Sequence, residues 1–180
     1  MGPAFLSDDR VRLRPVEVAD LPQLAAWRND PEIRTRTREF RPLNQESQRR
    51  WFERISGPDS REFMFVVEAV TAWGDAVGVV GLCNYQPRSQ IAETSFYIGP
   101  PNARRQGFAA ASLRLLHGWG FGELGLNRIE AEVYAFNEPS IALLKKLGFI
   151  EEGRRRLAIW HNGARCDSLL FGLLRLEWTP

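Results

Sequence analysis

The segment from Ile98 to Ala109 places the strongest constraint on how this chain folds. Its pattern indicates the end of a β-strand, a turn opening with Gly99-Pro100-Pro101, and a helix that starts near Gln106. The first amides of a helix have no intrahelical partner, and the helix dipole places partial positive charge there. Gly107 removes the side chain where the backbone would come closest to a ligand. The segment therefore predicts a site for a phosphate or pyrophosphate.

A tight turn that merely tolerates Gly107 is the alternative explanation of this segment. The strand, Arg104 and Arg105, and the small residues Gly107 and Ala109 all coincide at the helix start, which favours the anion site. The pattern is neither GxGxxG nor a Walker loop, since no Gly-Lys-Ser/Thr follows. A nucleotide-binding module sharing only this phosphate site stays open as a less favoured function.

Composition narrows the classes of protein that this chain can represent. A length of 180 residues predicts one domain, spanning residues 1–180, with a sizeable core. A net charge of +2 is small for a nucleic-acid-binding module, so no nucleic-acid partner is expected. The N-terminus lacks a basic region followed by a long apolar stretch, which predicts a cytoplasmic protein with no membrane association. The cysteines and histidines lie far apart in sequence and form no metal-ligand pattern, so no metal site is expected. They are Cys83, Cys166, His117 and His161.

The hydrophobic pattern predicts an α/β (α+β) fold in which a mixed sheet of about seven strands is flanked by about four helices. The predicted strands are Val11–Pro15, Phe63–Val70, Val77–Tyr85, Ile91–Ile98, Arg128–Phe136, Arg156–Trp160 and Ala164–Leu174. The predicted helices run from about Asp20 to Asn29, Gln45 to Ile55, Gln106 to Gly120 and Glu138 to Leu147.

Several element ends carry their own signals. Asp20 and Gln23 form a possible capping box for the first helix, and Asn44 is expected to cap the second. Gly148 can take the left-handed position that closes a helix in a Schellman motif. Asn162-Gly163 predicts a two-residue hairpin turn, and a segment containing Gly74-Asp75 is expected to join two antiparallel strands.

Two motifs resemble those of the GNAT superfamily of N-acetyltransferases. Arg104-x-x-Gly107-x-Ala109 is similar to the R/Q-x-x-G-x-G/A motif with which these enzymes hold the pyrophosphate of acetyl-CoA. Asn137-Glu-Pro-Ser140, followed by Lys145–Phe149, resembles their N-x-x-S…K-x-G-F segment. Trp27–Pro31 and the Asn162–Asp167 hairpin resemble the ribosomal-protein N-acetyltransferase branch. The resemblance covers almost the whole chain and is strongest from Glu93 to Phe149.

The resemblance implies a mostly antiparallel sheet in which one splayed strand pair forms a wedge for acetyl-CoA. It implies that acetyl-CoA is a co-substrate, that the pantetheine arm follows the strand at Tyr97, and that the phosphates meet the following turn. Asn137 would reach the pantetheine amides or the acetyl end of the arm. The implied cofactor contacts are Tyr97, Ile98, Gly99, Arg104, Arg105, Gln106, Gly107, Phe108, Ala109, Asn137 and Ser140.

Direct acetyl transfer to an amine needs a proton acceptor, donors that stabilise the developing oxyanion, and an acid for the departing thiolate. Glu93 is the candidate base, because family members often carry a Glu on this strand and apolar neighbours would suit it to that role. A solvent-edge carboxylate, with water as the base, is the alternative. Many members also have a Glu at the position of Ala111, and its absence here favours Glu93 or water.

Two residues compete as the acid that protonates the thiolate. Ser140 occupies the last position of the N-x-x-S motif, although a serine there can instead make a local backbone hydrogen bond. Tyr134 lies across the expected wedge, although an aromatic residue on a strand can simply pack against a helix.

The expected function is N-acetylation of a primary amine, such as a protein N-terminus. A polyamine, an amino sugar or an antibiotic is the alternative acceptor, and a non-catalytic acyl-CoA-binding protein is a further alternative. In this family the N-terminal helices normally form the acceptor wall, and here they carry Glu32, Glu39, Glu46 and Glu53 among many arginines, including the cluster Arg34, Arg36, Arg38 and Arg41. An arginine-rich wall favours an acidic or neutral acceptor over a polyamine, and a solvated surface is the alternative explanation of the cluster. A homodimer is an open possibility.

Overall fold

The computed structural model describes residues 4–70 and 75–179, which form one eight-stranded sheet with helices on both faces. The strand order is β1-β2-β3-β4-β5-β6-β8-β7, and every neighbouring pair is antiparallel except β5 and β6. The strands are β1 (Leu6–Ser7), β2 (Val11–Pro15), β3 (Phe63–Ala69), β4 (Ala76–Gln86), β5 (Ile91–Ile98), β6 (Arg128–Tyr134), β7 (Ile150–His161) and β8 (Ala164–Leu174).

Five α-helices cover this sheet. They are α1 (Leu21–Asn29), α2 (Pro31–Arg34), α3 (Gln45–Ser56), α4 (Phe108–Gly122) and α5 (Glu138–Lys146). The predicted α/β class and mostly antiparallel sheet are confirmed, but the short elements β1 and α2 were not predicted. Each is too short to show a hydrophobic period, so neither has a pattern to detect.

Two hydrophobic clusters attach the helices to opposite faces of the sheet. On one face, Leu24 and Trp27 of α1 pack with Val66 and Val79 of the central strands. On the other face, Leu116 of α4 belongs to the larger cluster, together with buried residues of α5 and β8, including Leu144 and Phe171. The central strands β3 and β4 are therefore buried on both sides, which explains their nearly continuous apolar sequences.

The local signals have mixed outcomes. Asn44 caps α3 through a 2.8 Å bond from the amide of Ser47, as predicted. Asp20 does not cap α1, because its carboxylate instead accepts hydrogen bonds from Arg14 and from the backbone of Glu17. A hydrogen bond from a charged guanidinium is stronger than one from a neutral backbone amide, so the Asp20 carboxylate bonds to Arg14 instead of capping α1.

Two turns match their predictions in detail. Gly148 has φ +89°, and the amides of Gly148 and Phe149 bond to Lys145 and Leu144 as a Schellman motif requires. Asn162 and Gly163 have φ of 47° and 79° and join β7 to β8. The predicted connection around Gly74 lies outside the described residues. β7 is longer than predicted, because irregular pairing between Arg155 and Ile159 interrupts its alternation.

Candidate active site

Strands β5 and β6 separate in the middle of the sheet. Their parallel pairing covers only three positions and ends where Glu93 meets Glu130. Residues 94–98 of β5 remain paired with β4 on one side, and among the described residues no strand pairs with their other edge. A cleft of about 1470 Å³ opens beside this free edge. The splayed strand pair expected from the sequence is therefore present.

The turn after β5 presents a row of free backbone donors to the cleft. Gly107 has φ +84° and forms the N-cap of α4, which begins at Phe108 rather than at the predicted Gln106. Arg105 also has a positive φ, of 62°. Within the described part of the chain, the amides of residues 105–110 bond to no acceptor. Successive unpaired amides at a helix N-terminus are the donor set that binds phosphate oxygens.

Most of the residues expected to contact the cofactor line this one cleft. They are Tyr97, Ile98, Arg104, Arg105, Gly107, Phe108, Ala109, Asn137 and Ser140, and the candidates Glu93 and Tyr134 line it as well. The other two expected contacts, Gly99 and Gln106, lie outside the lining of the cleft. The side chain of Gln106 bonds instead to the carbonyl of Asn102, at 2.7 Å.

Arg104 and Gly99 have structural roles at the end of β5. The guanidinium of Arg104 donates to the carbonyls of Gly99, at 2.7 Å, and Ile98, at 3.3 Å. It also pairs with Asp30 at the start of α2, at 3.1 Å. A Cβ atom on Gly99 would overlap the indole ring of Trp27. These contacts hold α1 and α2 against the strand that forms one wall of the cleft.

Asn137 and Ser140 present side chains that local structure does not use. Asn137 occupies the N-cap position of α5, yet its side chain makes no capping bond and is only 8% exposed. The local backbone bond considered for the Ser140 hydroxyl is not observed among the described residues; its amide bonds to the Asn137 carbonyl at 3.1 Å. Both side chains therefore remain available to a ligand in the cleft.

Glu93 lies in a charged environment rather than the apolar one expected from sequence. Its carboxylate accepts hydrogen bonds from both terminal nitrogens of Arg38, one of them at 3.1 Å. The side-chain amide of Asn84 also donates to it at 3.1 Å. The expectation of apolar neighbours is wrong because Arg38, in the connection between α2 and α3, crosses the cleft to reach this strand.

A second carboxylate, Glu132, was missed by the sequence reasoning. It accepts hydrogen bonds from Ser168 at 2.5 Å and Arg155 at 3.2 Å, and it lies 3.4 Å from Arg38. The alternation of β6 could have indicated this carboxylate. Ile129, Ala131 and Val133 face the core, so the residues between them, including Glu132, share the opposite face. Which side of the sheet formed the cleft could not be read from that alternation.

Tyr134 extends from the same face of β6 and is half-buried. Burial raises the pKa of its hydroxyl, so this group carries a proton at neutral pH and can donate it. Burial also raises the pKa of the Cys83 thiol to about 11, so this thiol is protonated at neutral pH.

The sheet, the free strand edge and the unpaired amides define a transferase fold with an acyl-CoA-type cleft. The acetyltransferase (GNAT) domain family matches residues 10–150 of the chain. The uncharacterized N-acetyltransferase p20 of Bacillus licheniformis is 32% identical over 179 residues, covering 97% of this chain and 98% of that protein. The chain therefore belongs to the GNAT acetyltransferase family, and it is an acetyl-CoA-dependent acyltransferase.

Other similar proteins differ in the acceptor that their names give. YdaF of Bacillus subtilis, provisionally named a ribosomal N-acetyltransferase, is 32% identical over 105 residues, covering 58% of this chain and 57% of YdaF. The spermidine N-acetyltransferase of Vibrio cholerae, in complex with CoA and spermine, has a TM-score of 0.86 at 24% identity. That alignment covers 94% of this chain and 98% of the other, and at this identity it shows the shared fold alone.

The described residues contain neither a candidate membrane span nor a candidate metal site. No helix within residues 4–70 or 75–179 is long and apolar enough to cross a membrane. In the same ranges, no group of three or more His, Cys, Asp or Glu residues is placed to hold a metal ion.

Proposed function

We propose that this protein transfers the acetyl group of acetyl-CoA directly to a primary amine, the N-terminus of a protein or peptide. The observation that carries the proposal is the splay of β5 from β6, with free amides at one end and Glu93 at the other. We also propose that residues 1–180 form one acetyltransferase domain. The homodimer stays a prediction.

Three groups of residues along the cleft support acetyl-CoA as its ligand. The amides of residues 105–110 supply donors for the pyrophosphate, and Arg105 adds positive charge beside them. The unpaired edge of β5 at residues 94–98 offers backbone groups to the amides of the pantetheine arm. The side chain of Asn137 makes no capping bond, and we propose that it contacts the pantetheine arm as well.

Acetyl-CoA supplies an activated acetyl group as a thioester. Glu93, at the point where the strands part, accepts the proton of the attacking amine either directly or through water. Tyr134 and Ser140 line the same cleft from β6 and α5, and either hydroxyl can return a proton to the departing sulfur. Both hydroxyls carry a proton at neutral pH, and a phenol is the stronger acid of the two, which favours Tyr134 as the donor.

The charge of the cleft wall separates a peptide acceptor from a polyamine. The part of the lining between residues 28 and 54 carries six arginines and three glutamates. The arginines are Arg28, Arg36, Arg38, Arg41, Arg50 and Arg54, and the glutamates are Glu32, Glu39 and Glu46. Glu93 and Glu62 of the same cleft pair with Arg38 and Arg54, but Arg28 and Arg36 have no carboxylate partner among the described residues. This unpaired positive charge disfavours a polycation, so it favours a peptide over spermidine.

Calorimetric titration with acetyl-CoA, with ATP and NAD as controls, tests the cofactor part of the proposal. We expect saturable binding of acetyl-CoA alone. Release of CoA is then measured with N-terminal peptides and with spermidine as acceptors. Turnover with peptides supports the proposal, whereas turnover with spermidine alone assigns a polyamine acceptor. Tight acetyl-CoA binding without turnover of any amine would indicate a non-catalytic acyl-CoA-binding protein.

The substitution Glu93→Gln tests the proposed base. It keeps the size of the side chain but removes the proton acceptor, so turnover at neutral pH should fall by about a hundredfold while acetyl-CoA affinity stays the same. Glu46→Gln removes a carboxylate of the same cleft wall and serves as the control. Unchanged turnover in Glu93→Gln would assign proton removal to water.

A further inference from the structure

Arg28, near the end of α1, is held in the wall of the cleft by aromatic neighbours. Its guanidinium carbon lies 5.6 Å from the centroid of the Tyr97 ring, within the range of a cation–π contact. Tyr97 in turn packs edge-to-face against Trp27, with ring centroids 6.5 Å apart. The position of Arg28 is therefore fixed by packing rather than by an ion pair.

The other arginines in this wall have acidic or carbonyl partners. Arg38 pairs with Glu93 and Glu132, Arg41 with Glu39, Arg50 with Glu46, and Arg54 with Glu62, while Arg36 donates to the carbonyl of Glu32. Arg28 has no carboxylate within ion-pair distance in the described part of the chain. Among the described residues, Arg28 is therefore the arginine of this set that has neither a carboxylate nor a carbonyl partner.

The Nε atom of Arg28 is buried and has no hydrogen-bond partner among the described residues. A buried donor without a partner is costly, and a guanidinium forms its strongest bonds as a fork around a planar carboxylate. Arg28 lines the cleft, so the terminal nitrogens beyond the buried Nε are the donors left for an anion, preferably a carboxylate, that enters the cleft at this point.

The distance along β5 relates this cation to the proposed base. Glu93 and Tyr97 point to the same face of the strand, four residues apart, which places them about 13 Å from each other along it. An extended peptide advances about 3.4 Å per residue, so about four residues span 13 Å of strand, and fewer suffice where the side chains of the acceptor and of Arg28 cover part of the distance.

We propose that Arg28 binds a carboxylate of the acceptor, which makes the acceptor a peptide with an acidic side chain within its first four residues. This inference rests on the proposed function and adds the substrate class to it. Arg28 is a specificity residue for the acceptor and takes no part in the chemistry at the thioester.

Matched peptide amides test the inference on CoA-saturated protein, where no transfer occurs. The peptides are tetrapeptides of alanine with a single Glu or Gln at the second, third or fourth position. In at least one pair, the Glu peptide should bind about tenfold more tightly than the Gln peptide. The affinities are measured calorimetrically, with CoA binding confirmed first for every variant.

In Arg28→Gln the ratio within that pair should fall to about twofold or less, with CoA affinity unchanged. Arg28→Lys should give an intermediate ratio, because lysine keeps the positive charge but lacks the paired N–H donors with which a guanidinium binds both oxygens of a carboxylate. Arg50→Gln, in the same wall, should keep the wild-type ratio. Failure to bind CoA would contradict the proposed function itself. If CoA binds but no pair differs, or if the preference persists in Arg28→Gln, the assignment of Arg28 is overturned.

Discussion

Arg38 and Glu93, 55 residues apart in sequence, form a two-pronged ion pair across the mouth of the cleft. The guanidinium of Arg38 also lies 3.4 Å from Glu132 on the neighbouring strand. It therefore occupies the position next to both carboxylates that a protonated amine would approach. If Glu93 is the base, as we propose, an incoming acceptor has to displace Arg38 from Glu93 before this carboxylate can take up a proton.

The substitution Arg38→Gln should lower the KM for the acceptor. The Arg38 side chain is 54% exposed, so the pair is worth no more than about 1 kcal/mol, which corresponds to a change in KM of about two- to fivefold. Acetyl-CoA affinity should not change. Steady-state kinetics with the best peptide acceptor measures the effect, with Arg36→Gln as the control. A raised KM would show that Arg38 helps to bind the acceptor.

Gly107 and Gly163 form a matched pair for testing the phosphate turn. Both have positive φ, 84° and 79°, so valine at either position should destabilise the fold by about 1–2 kcal/mol. Only Gly107→Val should weaken acetyl-CoA binding, by at least about tenfold, because it displaces the amides of the turn. Calorimetry and urea unfolding separate the two effects. Equal acetyl-CoA affinities for both variants would contradict the phosphate site.

Asn137 and Asn44 occupy the same helix position but use their side chains differently. Asn44→Ala should cost about 1 kcal/mol of unfolding free energy, because the cap of α3 is lost. Asn137→Ala removes no cap, so it should lower acetyl-CoA affinity by about fivefold with a smaller loss of stability. Urea unfolding and calorimetry on both variants check this. A large stability loss without an affinity change in Asn137→Ala would assign it a structural role.

His117 makes stability depend on pH. It is fully buried beside Thr94, and burial lowers its pKa to about 3, from 6.5 in an unfolded chain. As the pH falls below 6.5, the unfolded state takes up a proton first. The contribution of neutral His117 is therefore complete above pH 6.5 and is lost as the pH falls toward 3.

Wild-type protein should lose about 2 kcal/mol through this residue between about pH 6.5 and pH 5. His117→Gln, which can keep a hydrogen bond to Thr94, should show a correspondingly smaller decrease. Urea unfolding at the two pH values provides the measurement, and His161→Gln is the control. The same decrease in His117→Gln as in wild type would assign the pH dependence to other groups.

Two glycine-containing turns, whose conformations depend on residues adjacent in sequence, were predicted correctly. The turn at Asn162-Gly163 and the Schellman motif at Gly148 follow from the low cost of positive φ at glycine and asparagine. The left-handed conformation of Gly107 was not predicted, because the helix was expected to start one residue before it, near Gln106. Strand and helix positions followed from hydrophobic periods of two and 3.6 residues, because these patterns are set by local geometry.

The contacts that join distant segments were decided only by the tertiary structure. Asp20 has the residue type of a helix cap but bonds to Arg14, and Gly99 is required by the Trp27 ring more than by a cofactor. Arg38 reaches Glu93 because α2 and α3 pack on one face of the sheet and carry their connection across the cleft. Ion pairs of this kind have no sequence period, since their energies depend on which charges the folded chain brings within a few ångströms. The sequence therefore determined the longer helices and strands and the glycine-containing turn after β5, and the packing of α1–α3 against the splayed strands decided which charges line the cleft.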